Sequence, residues 1–163
     1  MIKKSKEPII NMVGIDQVGL VVHDIDKTIE MFQNVLGISN FKKVDWPIDG
    51  KDPKSFFRGK QAHWRMRLAF AQIGPLQIEL IQPVDENNQF SEFIKKHGPG
   101  LHHLRVLVED IDKNIKRLKE EGVEILSTGT GVHKDSRWAY FDTSKLLGGL
   151  ILELRTVLKD KNN

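Results

Sequence analysis

The sequence predicts an α+β fold made of two tandem βαβββ modules. The main observation is an internal repeat, because residues 17–29 (QVGLVVHDIDKTI) resemble residues 103–115 (HLRVLVEDIDKNI) at an offset of 86 residues. In both copies an apolar strand precedes an Asp-Ile-Asp phrase and a segment whose apolar residues recur at helical spacing. Two copies are too few for a solenoid, which stacks at least three repeats, so we expect one compact domain from the 163 residues.

Each module is predicted to begin with a strand that is followed by an aspartate, Asp24 or Asp110. The carboxylate of such a residue can accept hydrogen bonds from the free N–H groups of a first helical turn. Gly37 and Gly122 are predicted to end the two helices. The predicted strands are 18–22, 39–45, 63–72, 76–82, 104–108, 123–127, 137–142 and 149–155, with a polar loop over 46–60.

These elements divide the chain at a linker between the two copies. The predicted parts are a first module over 13–83, a linker over 84–100 with a short helix at 90–96, a second module over 101–157, and tails over 1–12 and 158–163. The tails supply the net charge of +3, so the folded body is close to neutral. A nucleic-acid-binding protein carries a basic patch on its fold, and we therefore expect no nucleic acid as a partner.

The composition is that of a globular protein, with 39% hydrophobic and 29% charged residues. There is no run of 18 apolar residues, so we expect no membrane span. The charged N-terminal residues are not followed by the apolar segment of a secretory signal. The absence of cysteine excludes disulfides and cysteine nucleophiles, and it favours a cytoplasmic location.

Four polar residues share one face of the predicted sheet. Side chains alternate between the two faces of a strand, and in four strands one parity is purely apolar and should pack on the helices. These apolar positions are Val18, Leu20, Val22, Leu76, Ile78, Leu80, Leu104, Val106, Val108, Leu150, Leu152 and Leu154. The opposite parity carries Gln17, Glu79, His103 and Glu153. Two half-sheets related by a pseudo-twofold axis would bring these four residues together.

The chemistry of the four residues indicates a metal site. One imidazole nitrogen, two carboxylates and one amide oxygen suit a divalent cation such as Zn, Ni, Co, Mn or Mg. Two carboxylates that face each other repel, and a divalent ion neutralises them. A solvated polar sheet face is the alternative for any one of these residues alone. Their symmetric placement favours one metal ion shared by all four.

The same residues lie in phrases that resemble the vicinal-oxygen-chelate superfamily, which includes glyoxalase I, methylmalonyl-CoA epimerase, extradiol dioxygenases and bleomycin-resistance proteins. The resemblance covers about residues 13–156 and implies a half-open mixed β-barrel around a metal cavity. The phrases most similar to methylmalonyl-CoA epimerases are GLHHL at 100–104, DID at 110–112, GLILEL at 149–154 and LQIELIQP at 76–83, together with the linker helix at 90–96.

The resemblance implies that Gln17, Glu79, His103 and Glu153 are the metal ligands. His103, and not His102, matches a ligand position because it aligns with Gln17 in the repeat. Epimerases usually carry histidine where this chain has Gln17, and the four ligands are instead similar to those of the eukaryotic type of glyoxalase I. Gln17 also argues against an extradiol dioxygenase, whose iron is bound by two histidines and one carboxylate.

The resemblance further implies a metal-dependent proton-transfer enzyme in which the metal stabilises an enolate or enediolate. Glu153 is the first candidate for the catalytic base, and Glu79 is the second. Arg105, Arg67 and Arg65 are candidate substrate-binding residues, because all three are expected on the face of the metal ligands, where an arginine can clamp a carboxylate or phosphate. The alternative for Arg65 and Arg67 is a position where the sheet meets solvent. Residues 127–136 are predicted to form a lid or an ordinary mobile loop.

Three functions remain open at this point. The first is an epimerase that acts on an acyl-CoA such as methylmalonyl-CoA, and the second is a glyoxalase I-type lactoylglutathione lyase that isomerises a thiol adduct. The third is a metal-free protein that sequesters a ligand, as bleomycin-resistance proteins do; the full set of four ligands disfavours it. The resemblance also implies a homodimer.

Overall fold

The computed structural model describes residues 7–51, 53–131 and 136–157, and these residues form ten strands and three helices. In chain order the elements are β1 (Met12–Val21), α1 (Ile25–Leu36), β2 (Lys42–Trp46), β3 (Phe56–Phe57), β4 (Lys60–Gln61), β5 (Met66–Ile73), β6 (Leu76–Pro83), α2 (Gln89–His97), β7 (Gly100–Val108), α3 (Ile111–Glu120), β8 (Glu124–Thr130), β9 (Arg137–Asp142) and β10 (Ile151–Thr156). The predicted α+β fold class is confirmed.

One mixed sheet contains the ten described strands, in the order β2-β5-β6-β1-β7-β10-β9-β8-β3-β4. The equivalent strands of the two repeats, β1 and β7, lie antiparallel at its centre. Each of them pairs in parallel with the last strand of its own repeat, β1 with β6 and β7 with β10. The end strands β2 and β4 do not pair with each other in the described part of the chain, so the sheet curls without closing into a barrel.

The predicted apolar parities form two cores, one in each repeat. In the first repeat, Leu80 lies fully buried in a cluster with Ile25 of α1. In the second, Val108 and Leu154 lie fully buried in a cluster with Leu118 of α3. A third cluster is rich in aromatic residues and contains Trp64, Phe90, Trp138 and Tyr140. α1 and α3 therefore each pack on their own half of the sheet and leave the other face free to form a site.

The helix ends follow the predicted capping chemistry. The carboxylate of Asp24 accepts hydrogen bonds from the backbone N–H groups of Asp26 and Lys27, both at 3.1 Å, at the start of α1. Asp110 accepts one from the N–H of Lys113 at 2.9 Å at the start of α3. Gly37 ends α1 with a left-handed φ of 70°. No helix of the described ranges is long and apolar enough to cross a membrane.

The segment predicted as a polar loop over 46–60 contains part of a hairpin. Strands β3 and β4 pair with each other, and β3 also pairs with β8, with Phe56 opposite Thr128. Arg58 and Gly59 have positive φ values of 47° and 77°, as a two-residue hairpin turn requires at both central positions. Aromatic residues before a turn glycine favour such a hairpin. As a result, a segment of the first repeat extends the sheet of the second.

Candidate metal and substrate site

Four adjacent strands at the centre of the sheet carry the predicted metal ligands. β6, β1, β7 and β10 contribute Glu79, Gln17, His103 and Glu153. In the strand register Glu79 lies beside Gly19, and Glu153 lies beside Arg105. Because Gly19 and Arg105 are equivalent positions of the repeat, the two glutamates hold pseudo-twofold-related positions.

The structure brings these four side chains together in a buried centre. Nε2 of His103 lies 3.4 Å from Oε2 of Glu79 and 3.4 Å from Oε2 of Glu153. The Gln17 amide reaches the same two carboxylate oxygens at 3.2 and 3.3 Å. All four residues are at most 7% exposed. Atoms that bind one ion at about 2.0–2.1 Å in a tetrahedron lie about 3.4 Å apart, so the spacing fits one common cation.

The charges in this centre balance around His103. Burial alone would lower the pKa of His103, but its interactions with Glu153 and Glu79 outweigh burial and raise the pKa to about 9. Burial alone would raise the pKa of Glu153, but the close contact with His103 and the charges of His103 and Arg105 hold that pKa below its ordinary value. A metal ion can replace the proton on His103, because imidazole binds metals in its neutral form.

Two polar atoms in the centre indicate that a cation fits there. Nε2 of His103 is buried and makes no hydrogen bond to the described residues. Oε1 of Gln17 faces only the two carboxylates, while the amide nitrogen donates to Gln77 at 2.7 Å. An amide oxygen beside two carboxylates is favourable when a cation lies among the three groups. If no cation were bound, the rotated amide would be favoured, because its N–H groups would donate to both carboxylates. The donor set therefore fits a divalent ion.

A bulge in β7 turns His102 towards the ring of His103. The register with β1 passes from His103 opposite Gly19 to Leu101 opposite Leu20, so His102 has no partner in β1. Nδ1 of His102 lies 3.1 Å from Nδ1 of His103. Burial, with the charge of His103, lowers the pKa of His102, which keeps this ring neutral and able to accept a hydrogen bond. The rings around it are those of Phe90, Phe93 and Tyr140.

A cavity of about 480 Å³ opens beside the ligands, and Gln17, Glu79 and Glu153 line it. The wall from β2 and β5 is apolar and consists of Val44, Trp46, Met66, Leu68 and Phe70. The wall from β7, β9 and β10 includes Arg105, Tyr140 and Arg155. The cavity thus joins a potential metal centre to an apolar surface on one side and to cationic groups on the other.

Arg105 lines the cavity as predicted by strand parity, but its guanidinium is paired. Nε and Nη2 donate to the two carboxylate oxygens of Asp16 at 2.8 and 2.7 Å. Nη1 lies 3.0 Å from the amide of Gln17. The side chain of Arg105 is 11% exposed. With Oε1 of Gln17 facing the two carboxylates, Nη1 meets the amide nitrogen, which is also a donor, and the two make no hydrogen bond. Asp16 therefore holds Arg105, and the binding of substrate by Arg105 stays a prediction.

Arg65 and Arg67 lie outside the cavity, contrary to the prediction. Arg65 pairs with Asp85 at 2.7 Å, and its side chain is 68% exposed. Arg67 donates to Asp26 of α1 at 2.8 Å, on the helix side of the sheet. Both parities of β5 contain buried apolar residues, because α1 covers one face of this strand and the cavity lies on the other. Parity alone therefore does not show which face of β5 meets the cavity.

Two residues of the cavity were not predicted from the sequence. Arg155 lies two positions after Glu153 in β10, so the parity that selects Glu153 also selects Arg155. Tyr140 lies opposite Glu153 in the β9–β10 ladder, a register that the sequence does not reveal. Burial and then the charges of Glu153 and Glu79 raise the pKa of Tyr140 well above its ordinary value, so its hydroxyl stays protonated.

The predicted lid or loop over 127–136 has strand structure in its first part. Residues 127–130 belong to β8, and Gly131 lines the cavity. Residues 132–135 lie outside the described residues, and Ser136 is buried before β9 begins. The cavity is thus bordered at this point by the end of a strand.

The structure is a curled sheet of two repeats that holds a buried Glu-His-Glu cluster beside a cavity lined by both repeats. The chain belongs to the Glyoxalase/Bleomycin resistance protein/Dioxygenase superfamily, whose family profile matches residues 16–141. The resemblance seen in the sequence is thereby confirmed.

Several relatives with assigned activities are methylmalonyl-CoA epimerases. The mitochondrial methylmalonyl-CoA epimerase of Bos taurus is 25% identical over 148 residues, covering 90% of this chain and 76% of the relative. The ethylmalonyl-CoA/methylmalonyl-CoA epimerase of Cereibacter sphaeroides is 27% identical over 151 residues, covering 90% of this chain and 100% of the relative. The structure of methylmalonyl-CoA epimerase from Mycobacterium tuberculosis matches with a TM-score of 0.63 at 28% identity, covering 90% of this chain and 89% of that one.

Proposed function

We propose that this protein is a divalent-metal-dependent enzyme that transfers a proton on an acyl-CoA thioester, as methylmalonyl-CoA epimerases do. The observation that carries the proposal is the convergence of Gln17, Glu79, His103 and Glu153, whose ligand atoms lie 3.2–3.4 Å apart beside a cavity. The names of the relatives support the epimerase reaction in particular.

The metal would be held by Oε1 of Gln17, Nε2 of His103 and one carboxylate oxygen from each of Glu79 and Glu153. When bound, a divalent cation supplies Lewis-acid chemistry that stabilises negative charge on a substrate oxygen. Zn, Ni, Co, Mn and Mg all accept nitrogen and oxygen ligands of this kind, so the identity of the metal is left to experiment.

Glu153 is the proposed base that removes the proton. Its carboxylate lines the cavity, and the charges of His103 and Arg105 keep it ionised and able to accept a proton. The protonated Tyr140 lines the same cavity and lies opposite Glu153 in the β9–β10 ladder. A base must lie within hydrogen-bond reach of the proton that it removes, and a carboxylate in the cavity wall can reach a substrate bound there.

Glu79 is the proposed partner of Glu153 in the reaction. The two carboxylates enter the centre from β6 and β10, on the two sides of the pseudo-twofold axis between β1 and β7. Epimerisation removes a proton from one face of a carbon and returns a proton to the other face. Two carboxylates on opposite sides of the substrate provide one acid-base group for each face.

A glyoxalase I-type lyase is the second candidate function, and Gln17 favours it. Epimerases of this superfamily resemble the present chain elsewhere but usually have histidine at this position, whereas the eukaryotic type of glyoxalase I has glutamine. The lyase reaction would use the same base and return the proton to the neighbouring carbon of a thiol hemithioacetal. The two reactions therefore differ in substrate more than in the residues that move the proton.

Metal analysis coupled to proton exchange tests both candidates. Purified protein is expected to hold one divalent metal per chain by elemental mass spectrometry. In deuterated water it is expected to exchange the α-proton of methylmalonyl-CoA, and EDTA treatment should abolish that exchange. Isomerisation of the methylglyoxal–glutathione adduct without exchange on the thioester would favour the lyase. Absence of both metal and metal-stimulated activity would favour a metal-free ligand-sequestering protein.

Glu153→Gln tests the role of the base. The amide retains an oxygen but cannot accept the proton, so we expect the exchange rate to fall by about 100-fold or more. Glu124→Gln is the matched control, because Glu124 is exposed in β8 and pairs with Arg58 at 3.2 Å. Full exchange activity in the Glu153→Gln protein would contradict the assignment of the base. Light scattering of the same preparations tests the homodimer that the family resemblance implies.

A further inference from the structure

We propose that Arg155 binds a carboxylate in the acyl part of the substrate and selects for substrates that carry one. The inference rests on the proposed function, because it concerns the same cavity. Arg155 lines the cavity and is half-buried. Within the described ranges its guanidinium makes no hydrogen bond and no ion pair, although its charge acts on Glu153. A half-buried guanidinium without a hydrogen-bond partner is a ready site for an anion.

The other arginine of the cavity shows why Arg155 is the available one. Arg105 gives two hydrogen bonds to Asp16, and these occupy one edge of its guanidinium. The paired edge of Arg105 is therefore held by Asp16 and is not available to a substrate. Arg155 has no such carboxylate partner in the described ranges and is left to face the cavity contents.

The position of Arg155 sets the distance between the anion and the reacting centre. Glu153 and Arg155 are two residues apart in β10 and both line the cavity, so their Cα atoms lie about 6 to 7 Å apart. The neighbours of Arg155 across the ladders are Leu107 in β7 and Trp138 in β9, and both line the cavity. A short acyl group could place its reacting carbon near Glu153 and its carboxylate at Arg155.

The charge of the cavity agrees with an anionic ligand. Its described lining contains the carboxylates of Asp16, Glu79 and Glu153 and the guanidiniums of Arg105 and Arg155. Once a divalent cation is added, the positive charges exceed the negative ones by one. A cavity with an excess positive charge attracts a negatively charged substrate and disfavours its neutral analogue.

Gly131 leaves room for the guanidinium. A Cβ atom at this position would lie 3.2 Å from Nη2 of Arg155 and would overlap the hydroxyl of Ser136. The guanidinium therefore lies near the space that a side chain at this position would occupy. Its planar group is pre-organised to bind a carboxylate through two hydrogen bonds.

Binding of two thioesters that differ by one carboxylate tests the proposal. Isothermal titration calorimetry measures the affinities for methylmalonyl-CoA and propionyl-CoA. The proteins compared are the wild type, Arg155→Gln, Arg155→Lys and Arg137→Gln. Each protein is measured once loaded with Co²⁺ and once after EDTA treatment. Arg137 is the matched control, because it lies in β9, is 45% exposed and pairs with Asp112 at 2.7 Å. The control removes the same charge outside the cavity.

We expect the wild type to bind methylmalonyl-CoA at least about 10-fold more tightly than propionyl-CoA, because a charge-assisted hydrogen bond to the carboxylate contributes that much binding free energy. Arg155→Gln should lower the affinity for methylmalonyl-CoA by about 10- to 100-fold and change the affinity for propionyl-CoA by no more than about 2-fold. Arg155→Lys should restore part of the difference, because lysine keeps the charge without the paired N–H groups. Arg137→Gln should match the wild type.

The EDTA arm separates this proposal from the proposed function. If Arg155→Gln weakens methylmalonyl-CoA binding in metal-free protein, the substrate carboxylate binds to Arg155 rather than to the metal. This conclusion does not depend on whether proton exchange occurs. An equal loss for both thioesters would overturn the proposal, because it would indicate contact with the phosphates that the two CoA esters share. A wild type without preference between the thioesters would overturn it as well, even if proton exchange is observed.

Discussion

The two repeats have the same frame but line the cavity differently. Each contributes a central strand, a capped helix and a parallel last strand, and the two central strands pair across the pseudo-twofold axis. The first repeat lines the cavity with the apolar side chains of β2 and β5, whereas the second lines it with Arg105, Tyr140 and Arg155. The repeat therefore sets the frame, and residue differences on its inner face set the chemistry. With the proposed function, a substrate would direct its apolar part to the first repeat and its anionic part to the second.

The difference is largest at the centre of the sheet, where the two repeats compensate each other. Gln17 and His103 are equivalent, and so are Gly19 and Arg105. His103 lies opposite Gly19, and any Cβ atom at position 19 would overlap the imidazole ring. The larger ligand in one repeat thus requires glycine in the other.

Gly19→Ala should break this compensation and give the largest effect. The added methyl group would displace the ring of His103, so we expect metal affinity to fall by about 100-fold or more, with about 1–3 kcal/mol lost from the free energy of unfolding. Calorimetric metal titration and urea unfolding measure the two quantities. Gly14→Ala is the control in the same strand, because no atom lies within 4 Å of a Cβ there. Equal metal affinities in the two variants would contradict the role of His103 as a ligand.

The comparison of the two repeats also separates the features that the sequence predicts from those that it does not. The repeat and the strand parities identify Gln17, Glu79, His103 and Glu153, because the alternation of side chains needs only the local sequence. The capping aspartates and helix-ending glycines are local signals as well, and they place α1 and α3 close to their observed bounds.

Features that depend on pairing between distant strands were missed. The hairpin β3–β4 is stabilised by its pairing with β8, some 70 residues further along the chain. The bulge at His102 depends on the register between β1 and β7. The predicted position of Arg67 on the face of the metal ligands is wrong, although the sequence contains a signal for the correct face. The turn at Gly74-Pro75 pairs Ile73 with Leu76, and counting back from it places Phe70, not Arg67, on the face of Glu79.

His102→Phe is expected to have an intermediate effect on metal affinity. The equivalent residue of the first repeat is Asp16, which holds Arg105, whereas His102 accepts the hydrogen bond that orients His103. Phenylalanine fits among aromatic rings but accepts no hydrogen bond, so we expect metal affinity to fall by about 10- to 100-fold with the fold retained.

A conservative variant and a surface control separate orientation from packing at this position. His102→Gln offers an acceptor oxygen and should recover part of the metal affinity. His97→Phe alters an exposed histidine of α2 whose ring centroid lies 5.1 Å from that of Phe93, and it should bind metal as the wild type does. Unchanged metal affinity in His102→Phe would show that packing alone positions His103.

The smallest expected effect tests whether the frame itself is symmetric. Asp24→Ala and Asp110→Ala each remove the N-cap of the helix in one repeat, and loss of such a cap should lower the melting temperature by about 2 to 4 °C. Neither carboxylate lines the cavity, so metal affinity should not change. Glu30→Ala is the control, because it removes a charge from the body of α1 without removing a cap. Differential scanning calorimetry measures the shifts. A much larger shift for one aspartate than for the other would show that the two repeats contribute unequally to the stability of the shared frame.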